Sequence, residues 1–369
     1  GATSLNGLSD AVVKFTTTST SASIGIGENA LNSDDSSENE NTAVGIGALE
    51  DNTTGGSNCA FGRYTLSSST TGYSNTAFGS GALANVTTGS SNVAVGAQAM
   101  DQNTTTHTGS TAIGHRAARY AASDYVTAVG YEAANNATTS VVCVGHQAGK
   151  AATSASGLTA IGYQAGLLTT TGGNNTFVGS QSGQANTTGS SNVAIGLNAL
   201  KSNTTGHTST AVGAYALDAQ TTGYQNTAIG SSSLTALTTG YLNFAAGTNA
   251  ASAATTGYGN TSVGHQAAEN LTTGSNNTSL GYDAKPSSAT SNNEVTLGNA
   301  FVSSLRCNQQ TISSLSDGRD KTEVENLSLG LEFIDTLRPV KFKWETRDGN
   351  GKDGSYEAGF IAQELQSAQ

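Results

Sequence analysis

The sequence predicts an all-β protein whose main part is a parallel β-solenoid shaft, built from coils of about 17 residues and followed by a small α+β module. Three observations predict the shaft: a glycine at a nearly constant spacing, a short β-forming segment before each such glycine, and too few bulky side chains for a globular core. The 369 residues include 46 glycines, two prolines and only 6% aromatic residues. Without a period, this composition is typical of a disordered linker, so the period favours stacked repeats.

A marker glycine ends each copy of the short motif AVG, AFG or AIG, and its spacing defines the repeat. Successive marker glycines are 17, 17, 17, 18, 16 and 15 residues apart, and then 17 residues apart nine times. An atypical first copy is predicted around Gly25, in the sequence SIGIG. Such a sustained period is typical of a solenoid. The marker glycines are Gly45, Gly62, Gly79, Gly96, Gly114, Gly130, Gly145, Gly162, Gly179, Gly196, Gly213, Gly230, Gly247, Gly264, Gly281 and Gly298.

Each coil reads approximately N-T-A-V-G-x-x-A-L-x-x-x-T-T-G-x-S. The residue before the marker glycine is almost always Val, Ile, Phe or Leu, and the residue three before it is mostly Thr or Val. On a strand these two residues share one face, and the Ala between them lies on the other face. We expect a thin interior built on Ala and single Val residues. The T-T-G segment supplies a residue able to take positive φ, which predicts a corner of the coil.

An asparagine recurs four residues before the marker glycine, and stacking of the coils would place these side chains above one another. We expect them to form an amide ladder that satisfies polar groups at a turn and fixes the register. At ~4.8 Å per coil, the stack from the first to the last marker glycine is roughly 70 Å long. The asparagines are Asn41, Asn58, Asn75, Asn92, Asn175, Asn192, Asn226, Asn243, Asn260 and Asn277.

The thin interior buries little apolar surface, and small residues on one strand face would permit close approach of a second copy, so we predict a homo-oligomer. The strand motif, seen as NVAVG at 92–96, NVAIG at 192–196 and NTAIG at 226–230, resembles the head of YadA-type trimeric autotransporter adhesins. The resemblance implies a left-handed β-roll and a homotrimer.

Two groups of residues along the shaft are candidates for receptor binding. Four tyrosines follow T-T-G at predicted corners, where they either stack on sugar rings or shield the turn beneath. The period is irregular between Gly96 and Gly162, where the T-T-G corner is lost and charged and aromatic residues collect; this is either a local kink or a displayed binding patch. The candidates are Tyr73, Tyr224, Tyr241 and Tyr258 at the corners, and Arg116, Arg119, Tyr120 and Tyr125 in the irregular region.

Composition and spacing exclude several kinds of partner. The net charge of −11 is spread thinly without a Lys/Arg cluster, so nucleic acid is not an expected partner. No apolar run reaches the roughly 18–20 residues that span a bilayer, so no membrane insertion is predicted. The histidines lack metal-ligand spacing, and we predict neither a metal nor a cofactor. Acidic residues in the shaft are scattered, which disfavours a glycan-cleaving carboxylate pair.

The three cysteines are far apart and form no CxxC motif. They therefore predict neither a disulfide framework nor a zinc site. Cys59 and Cys143 occupy repeat positions that hold Thr, Val or Ala elsewhere, and we interpret both as small buried apolar residues.

The charge density changes abruptly after the last repeat. Residues 41–300 contain 15 charged residues, whereas residues 316–369 contain 18. The segment 303–315 is predicted to be extended, LSLGLEFIDTLRP to be helical up to Pro339, VKFKW to be a strand, and 347–354 to be a hairpin loop. These elements predict the α+β module.

Three segments of this module, SDGRDK, LRPVKFKW and GFIAQEL, resemble in the same order the intramolecular chaperone domain of endosialidases, phage tail spikes and tail fibres. In that family the chaperone trimerises the fibre ahead of it and then cuts itself off. The resemblance implies a cut between Leu315 and Ser316, with Ser316 as the nucleophile and Lys321 as the base. Asp320 departs from the family pattern, and its carboxylate beside Lys321 would weaken that base by holding its proton. No activity on external substrates is expected.

The sequence thus predicts a linker at 1–22, a shaft at 23–298, a connector at 299–315 and a truncated chaperone-like module at 316–369. We expect a bacteriophage tail fibre: a homotrimeric shaft of the virion, assembled in the host cytoplasm, that joins other tail proteins through its N-terminal side and binds a host-surface glycan or protein receptor. The alternatives are a bacterial trimeric adhesin, which would need a signal peptide and a membrane anchor, and a glycan-degrading tail spike.

Overall fold

The computed structural model describes residues 13–15, 23–35, 39–102, 106–306, 338–343 and 356–359. The chain divides into two compact units, Gly1–Ser303 and Ser304–Gln369. The first unit is a β-solenoid with one three-residue strand per coil. Its strands are β1 Val13–Phe15, β2 Ile24–Ile26, β3 Thr42–Val44, β4 Cys59–Phe61, β5 Thr76–Phe78, β6 Val93–Val95, β7 Thr111–Ile113, β8 Thr127–Val129, β9 Val142–Val144, β10 Thr159–Ile161, β11 Thr176–Val178, β12 Val193–Ile195, β13 Thr210–Val212, β14 Thr227–Ile229, β15 Phe244–Ala246, β16 Thr261–Val263, β17 Thr278–Leu280 and β18 Val295–Leu297.

Strands β2 to β18 form one parallel sheet in which each strand pairs with those of the coils before and after it. The register places like residues side by side, as in the pairs Ala43–Ala60 and Ala211–Ala228. The 18-, 16- and 15-residue coils keep this register, because the turns absorb the length difference. The predicted parallel β-solenoid is therefore confirmed.

The two ends of the sheet differ. Strand β1 pairs antiparallel with β2 and covers the edge of the first coil. Strand β18 pairs with β17, and among the described residues no strand covers its other edge. The pairing of Ile26 with Val44 makes Gly27 the first marker glycine, 18 residues before Gly45. The sequence-based placement of the first copy at Gly25 is therefore wrong, because Gly25 takes the place of the inward Ala.

In most coils the strand presents an Ala to the interior, with Thr or Val before it and Val or Ile after it on the outside. Ala43 and Ala60 are fully buried, whereas Thr42 and Val44 on either side of Ala43 remain partly exposed. The expected alternation is confirmed. The interior also contains single Val residues, Val86, Val126 and Val141, but they do not come from the position before the marker glycine, which lies outside. A period of two separates the faces of a strand without stating which face points inward. The small Ala lies inside and leaves most of the interior volume to other buried side chains.

Leucine supplies the bulk of the interior from the position four residues after the marker glycine. Its backbone is left-handed, with φ between 50° and 54° at the residues given below. This conformation costs an L-residue roughly 1–2 kcal/mol, and burial of a Leu side chain, which contributes about 1.5–3 kcal/mol, offsets the cost. The fully buried Leu and Met residues of this column are Leu31, Leu49, Leu66, Leu83, Met100, Leu200, Leu217 and Leu234.

The corner glycines of T-T-G are required for a reason that the sequence did not indicate. None of Gly72, Gly206 and Gly223 has a positive φ. A Cβ at Gly206 would instead lie 2.2 Å from the carbonyl oxygen of Gly223 on the next coil. The corner is confirmed as a turn, but its glycine is there because the backbones of neighbouring coils approach too closely for a side chain.

The predicted asparagine ladder is confirmed. The backbone N–H of Asn58 donates to Oδ1 of Asn41 at 2.9 Å, and the Asn58 carboxamide donates to the carbonyl oxygen of Gly72 at 2.8 Å. The same pair of bonds recurs at Asn75, whose carboxamide also donates to Oδ1 of Asn58. These buried amides join the strand to the corner of the following coil, and any slip of one coil would break them.

The second unit contains two described strands, β19 Val340–Lys343 and β20 Tyr356–Gly359, which pair antiparallel. The strand predicted in VKFKW is confirmed at 340–343. The predicted helix at 327–337 and the hairpin loop at 347–354 lie outside the described residues. Within the described part of the chain, no helix is long and apolar enough to cross a bilayer.

Candidate functional site

The corner tyrosines of the C-terminal half form a ring ladder. The ring centroids of Tyr224 and Tyr241 are 5.0 Å apart with an interplanar angle of 5°, and those of Tyr241 and Tyr258 are 5.0 Å apart with an angle of 3°. His207 meets the other side of Tyr224 edge-on at 5.1 Å. The centroid spacing is close to the ~4.8 Å between strands, so each ring lies above the ring of the next coil.

This stacking determines which ring faces are available to a ligand. Tyr241 is covered by a ring on both sides, so it offers a sugar only its edge. Tyr258 ends the ladder, because Ser275 takes the next position along the column. Tyr73 has no ring neighbour among the described residues and is 59% exposed. Tyr73 and Tyr258 therefore retain free ring faces, and Tyr241 does not.

The irregular region brings two of its predicted residues into contact. The Arg119 guanidinium lies 5.0 Å from the centroid of the Tyr120 ring and 3.4 Å from a carboxylate oxygen of Asp101. Arg116 donates from Nε to the carboxamide oxygen of Gln98 at 2.9 Å. Both arginines are therefore engaged within the shaft.

Tyr125 lies apart from these arginines at an irregular corner. A Cβ at Gly109 would meet its ring at 2.9 Å, so the ring covers the backbone of the preceding coil. The neighbouring Asp124 accepts the backbone N–H of Thr108 at 2.8 Å. His107 on the same corner is buried, and burial lowers its pKa, while the nearby Asp124 charge acts in the opposite direction.

Four rings that sequence reasoning did not place together form a second ladder. His115, Tyr131, His146 and Tyr163 each follow a marker glycine on consecutive coils, with centroids 5.6, 5.1 and 5.3 Å apart. The aligned marker glycines contained this signal, because all four rings occupy the same repeat position. It was missed because the histidines were considered without the tyrosines between them.

A ladder of polar side chains runs beside these rings, one residue further along each coil. The Gln147 carboxamide donates to Glu132 at 3.0 Å, and that of Gln164 donates to Gln147 at 3.0 Å. Lys150 approaches Glu132 at 2.6 Å and, by this bond, lowers the pKa of the Glu132 carboxyl. Rings and amides together give these coils a surface that can hold hydroxyl-rich ligands.

A third feature is the outer face of the parallel sheet, which exposes one large apolar residue on most coils. Two of them, Phe61 and Phe78, stack on each other with centroids 5.6 Å apart. A continuous apolar column of this length is unusual on the surface of a protein that functions as a monomer. Its most exposed residues before the marker glycines are Ile26, Phe61, Phe78, Ile113, Ile161, Ile195, Ile229, Val263, Leu280 and Leu297.

The two described cysteines differ in their surroundings. Cys143 takes the place of an inward Ala and is buried, which raises the pKa of its thiol to about 12. Cys59 takes the place of an outward Thr and is partly exposed on the outer face of the sheet. The interpretation of Cys143 as a buried apolar residue is confirmed, and that of Cys59 is wrong.

Among the described side chains, no three His, Cys, Asp or Glu residues come together as potential metal ligands. The predicted autocleavage residues Ser316 and Lys321 lie outside the described residues.

Residues 316–369 match the model of the chaperone of endosialidase family, peptidase S74. The chain thus carries a chaperone-of-endosialidase domain after its β-solenoid, an arrangement that fits a tail fibre or spike with a C-terminal chaperone. This match confirms the resemblance predicted from SDGRDK, LRPVKFKW and GFIAQEL. No curated protein and no solved structure matches the chain.

Proposed function

We propose that the protein is a homotrimeric bacteriophage tail fibre, in which the solenoid is the shaft and residues 316–369 assemble it. The observation that carries this proposal is the combination of a chaperone-of-endosialidase domain with a long solenoid whose outer sheet face is apolar. A repetitive rod with an uncovered apolar face needs partners, and the domain family supplies a means of collecting identical chains.

The outer sheet face is where we place the contact between chains. Ile161, Ile195 and Ile229 lie on this face on alternate coils and are each about two-fifths exposed. Burial of a large aliphatic side chain contributes about 1.5–3 kcal/mol when complete, so even partial burial over many coils would hold the chains together. The other outward residues of these strands are Thr159, Val193 and Thr227, which are small enough for two sheets to meet.

The chaperone domain would speed the assembly of three chains into one shaft. Within one chain, each solenoid strand pairs only with the strands of neighbouring coils. Aligning three chains in register requires contacts between distant residues, which form slowly. Apolar strands that stay unpaired during this time can aggregate. A module that first gathers three chains makes their shafts neighbours. Cleavage between Leu315 and Ser316, with Ser316 as the nucleophile and Lys321 as its base, would then make assembly irreversible and leave a slowly unfolding fibre.

We assign receptor recognition to the exposed rings of the shaft. Tyr73 and Tyr258 have free ring faces for a host-surface glycan, and Tyr120 and Tyr125 are exposed for contact with a glycan or protein. The N-terminal side would join the fibre to other tail proteins, in a virion assembled in the host cytoplasm.

Cys59 provides the test of the trimer, because it is a native thiol on the outer sheet face. In a Cys307→Ser background, a short trifunctional maleimide should link three chains through Cys59, while the buried Cys143 stays unmodified. The matched control carries Cys59→Thr and Thr222→Cys, which moves the thiol to an exposed corner and should abolish crosslinking.

A charge on the sheet face provides an independent test. Ile195→Asp should convert the trimeric mass in light scattering to a protomer, whereas Thr222→Asp at the corner should leave it unchanged. A wild-type chain that is monomeric and gives no Cys59 crosslink would contradict the proposed function.

A further inference from the structure

The second ring ladder ends at an open gap. The residues that follow the marker glycines on three consecutive coils are Tyr163, Ser180 and Leu197. Tyr163 stacks on His146 at 5.3 Å on one side, but Ser180 offers no ring on the other. Tyr163 is 50% exposed and Leu197 is 44% exposed. The column therefore has a gap of one coil, with a Tyr ring and a Leu side chain as its walls.

The dimensions of the gap suit one ring. Two coil steps separate Tyr163 from Leu197, which is roughly 9–10 Å at ordinary strand spacing. A flat ring in contact on both faces needs about 3.5–4.0 Å on each side, or about 7–8 Å in total. A single six-membered ring can thus lie on the Tyr163 face and touch Leu197 with its other face.

Polar side chains beside the gap lack hydrogen-bond partners among the described residues. Within the described residues, neither the Ser180 hydroxyl nor the Gln181 carboxamide makes a side-chain hydrogen bond. The carboxamide oxygen of Asn198, next to Leu197, is buried and accepts no hydrogen bond there. The Ser180 hydroxyl and the Gln181 carboxamide are therefore available to a ligand hydroxyl.

The charge pattern defines the ligand further. No charged residue occurs between Ala151 and Leu200, so the walls of the gap contain no cation for a carboxylate or phosphate. An apolar wall, an aromatic face and a few neutral hydrogen-bonding groups are what an uncharged sugar requires, since a pyranose has an apolar C–H face and hydroxyls at its rim.

We propose that the gap bounded by Tyr163, Ser180 and Leu197 binds one neutral hexopyranose unit of a cell-surface polysaccharide. This inference rests on the proposed function for the source of the ligand and names the class of receptor that the shaft takes. The ring ladder below Tyr163 holds its ring in place, so little side-chain freedom is lost on binding.

The test uses the assembled full-length protein and an array of purified bacterial surface polysaccharides, neutral and acidic. We expect binding to one or more neutral polysaccharides. Tyr163→Ala and Leu197→Ala should each weaken it at least about tenfold, because each removes one wall of the site.

Ser180→Tyr is the decisive variant, because it continues the existing ring ladder into the gap and should abolish binding without disturbing the coil. Ser231→Tyr makes the same change at the same repeat position, between Ala214 and Thr248, and should leave binding intact. Cys59 crosslinking of every variant reports separately on the trimer.

Three outcomes would overturn the inference while the trimeric shaft stands: no wild-type binding to any neutral polysaccharide, binding of acidic polysaccharides alone, or wild-type affinity in Ser180→Tyr. If Ser180→Tyr instead abolishes Cys59 crosslinking, the gap belongs to the contact between chains and the inference fails. Loss of crosslinking in the wild type would reject the proposed function itself.

Discussion

The ring of Phe177 occupies the space where a side chain at Gly183 would lie: a Cβ at Gly183 would be 2.5 Å from Cε1 of Phe177. Phe177 replaces the inward Ala of its strand and is fully buried. Gly183 and Gly166 replace the inward Leu of their coils, and a Cβ at Gly166 would also meet the Phe177 ring, at 2.9 Å. One large ring thus fills the volume that two leucines fill elsewhere.

Because the Phe177 ring occupies the volume of a side chain at position 183, substitutions at Phe177 and Gly183 should have non-additive effects on the free energy of unfolding. Phe177→Ala should lower the free energy of unfolding by about 3–5 kcal/mol, because it leaves a cavity. Gly183→Leu alone should also destabilise, because its side chain clashes with the ring. The double variant restores the pattern of other coils and should be more stable than either single variant. Chemical denaturation followed by circular dichroism measures all three.

The matched control combines Phe177→Ala with Leu234→Ala, which lies three coils further on and does not share the cavity. Those two effects should add within about 0.5 kcal/mol. Additive effects of Phe177→Ala and Gly183→Leu would contradict the proposed exchange.

The asparagine ladder predicts a large cost for a single buried amide. In Asn243→Ala, the backbone N–H of Asn260 loses its acceptor at 3.0 Å, and the carbonyl oxygen of Gly257 loses its donor at 2.8 Å. Each orphaned buried group costs about 1–3 kcal/mol, so we expect a loss of roughly 2–6 kcal/mol in the free energy of unfolding. Thr222→Ala at an exposed corner is the control, and an equal effect in both variants would show that the ladder does not fix the coil.

The sequence predicted the features that depend on contacts repeated in every coil, and it did not predict those that depend on particular pairs of residues. Period, coil and ladder were readable because every copy repeats the same local contacts, as at Asn58 and Asn75. The inward position of Ala43 and the outward position of Val44 were not readable, because alternation defines two faces without an inside. The contact of Phe177 with Gly166 and the Tyr163 ring beside Ser180 join residues of different coils, so the sequence of one coil alone does not reveal them. The proposed dyad came only from resemblance.

The buried His107 predicts acid sensitivity of the irregular region. Burial lowers its pKa from the usual value of about 6.5, so the unfolded chain binds the proton more readily than the folded one. The stability contribution is therefore complete above about pH 6.5 and declines as the pH falls through the window between the unfolded and the lower folded pKa. Asp124 is the charged group that opposes this shift.

Replacing His107 with Gln should remove this part of the pH dependence when unfolding is measured from about pH 8 down to about pH 5. His207→Gln, at an exposed corner against Tyr224, is the matched control and should retain the acid-side decline. If His107→Gln loses stability with acid as steeply as the wild type, the decline originates elsewhere.

Self-cleavage is the remaining prediction, and the mass of the purified chain decides it. If the Ser316 hydroxyl attacks the carbonyl of Leu315 while Lys321 accepts its proton, the Leu315–Ser316 amide bond breaks as an ester forms, and the amide nitrogen takes up a proton. Water then hydrolyses the ester, so the wild type should separate into fragments 1–315 and 316–369, while Ser316→Ala and Lys321→Ala should remain whole. Ser314→Ala, two residues before the bond, should still be cut. Asp320→Leu should speed the cut, because it removes the carboxylate that holds the Lys321 proton. A wild type that stays as intact as both dyad variants would rule out the reaction and leave residues 316–369 as a retained assembly domain.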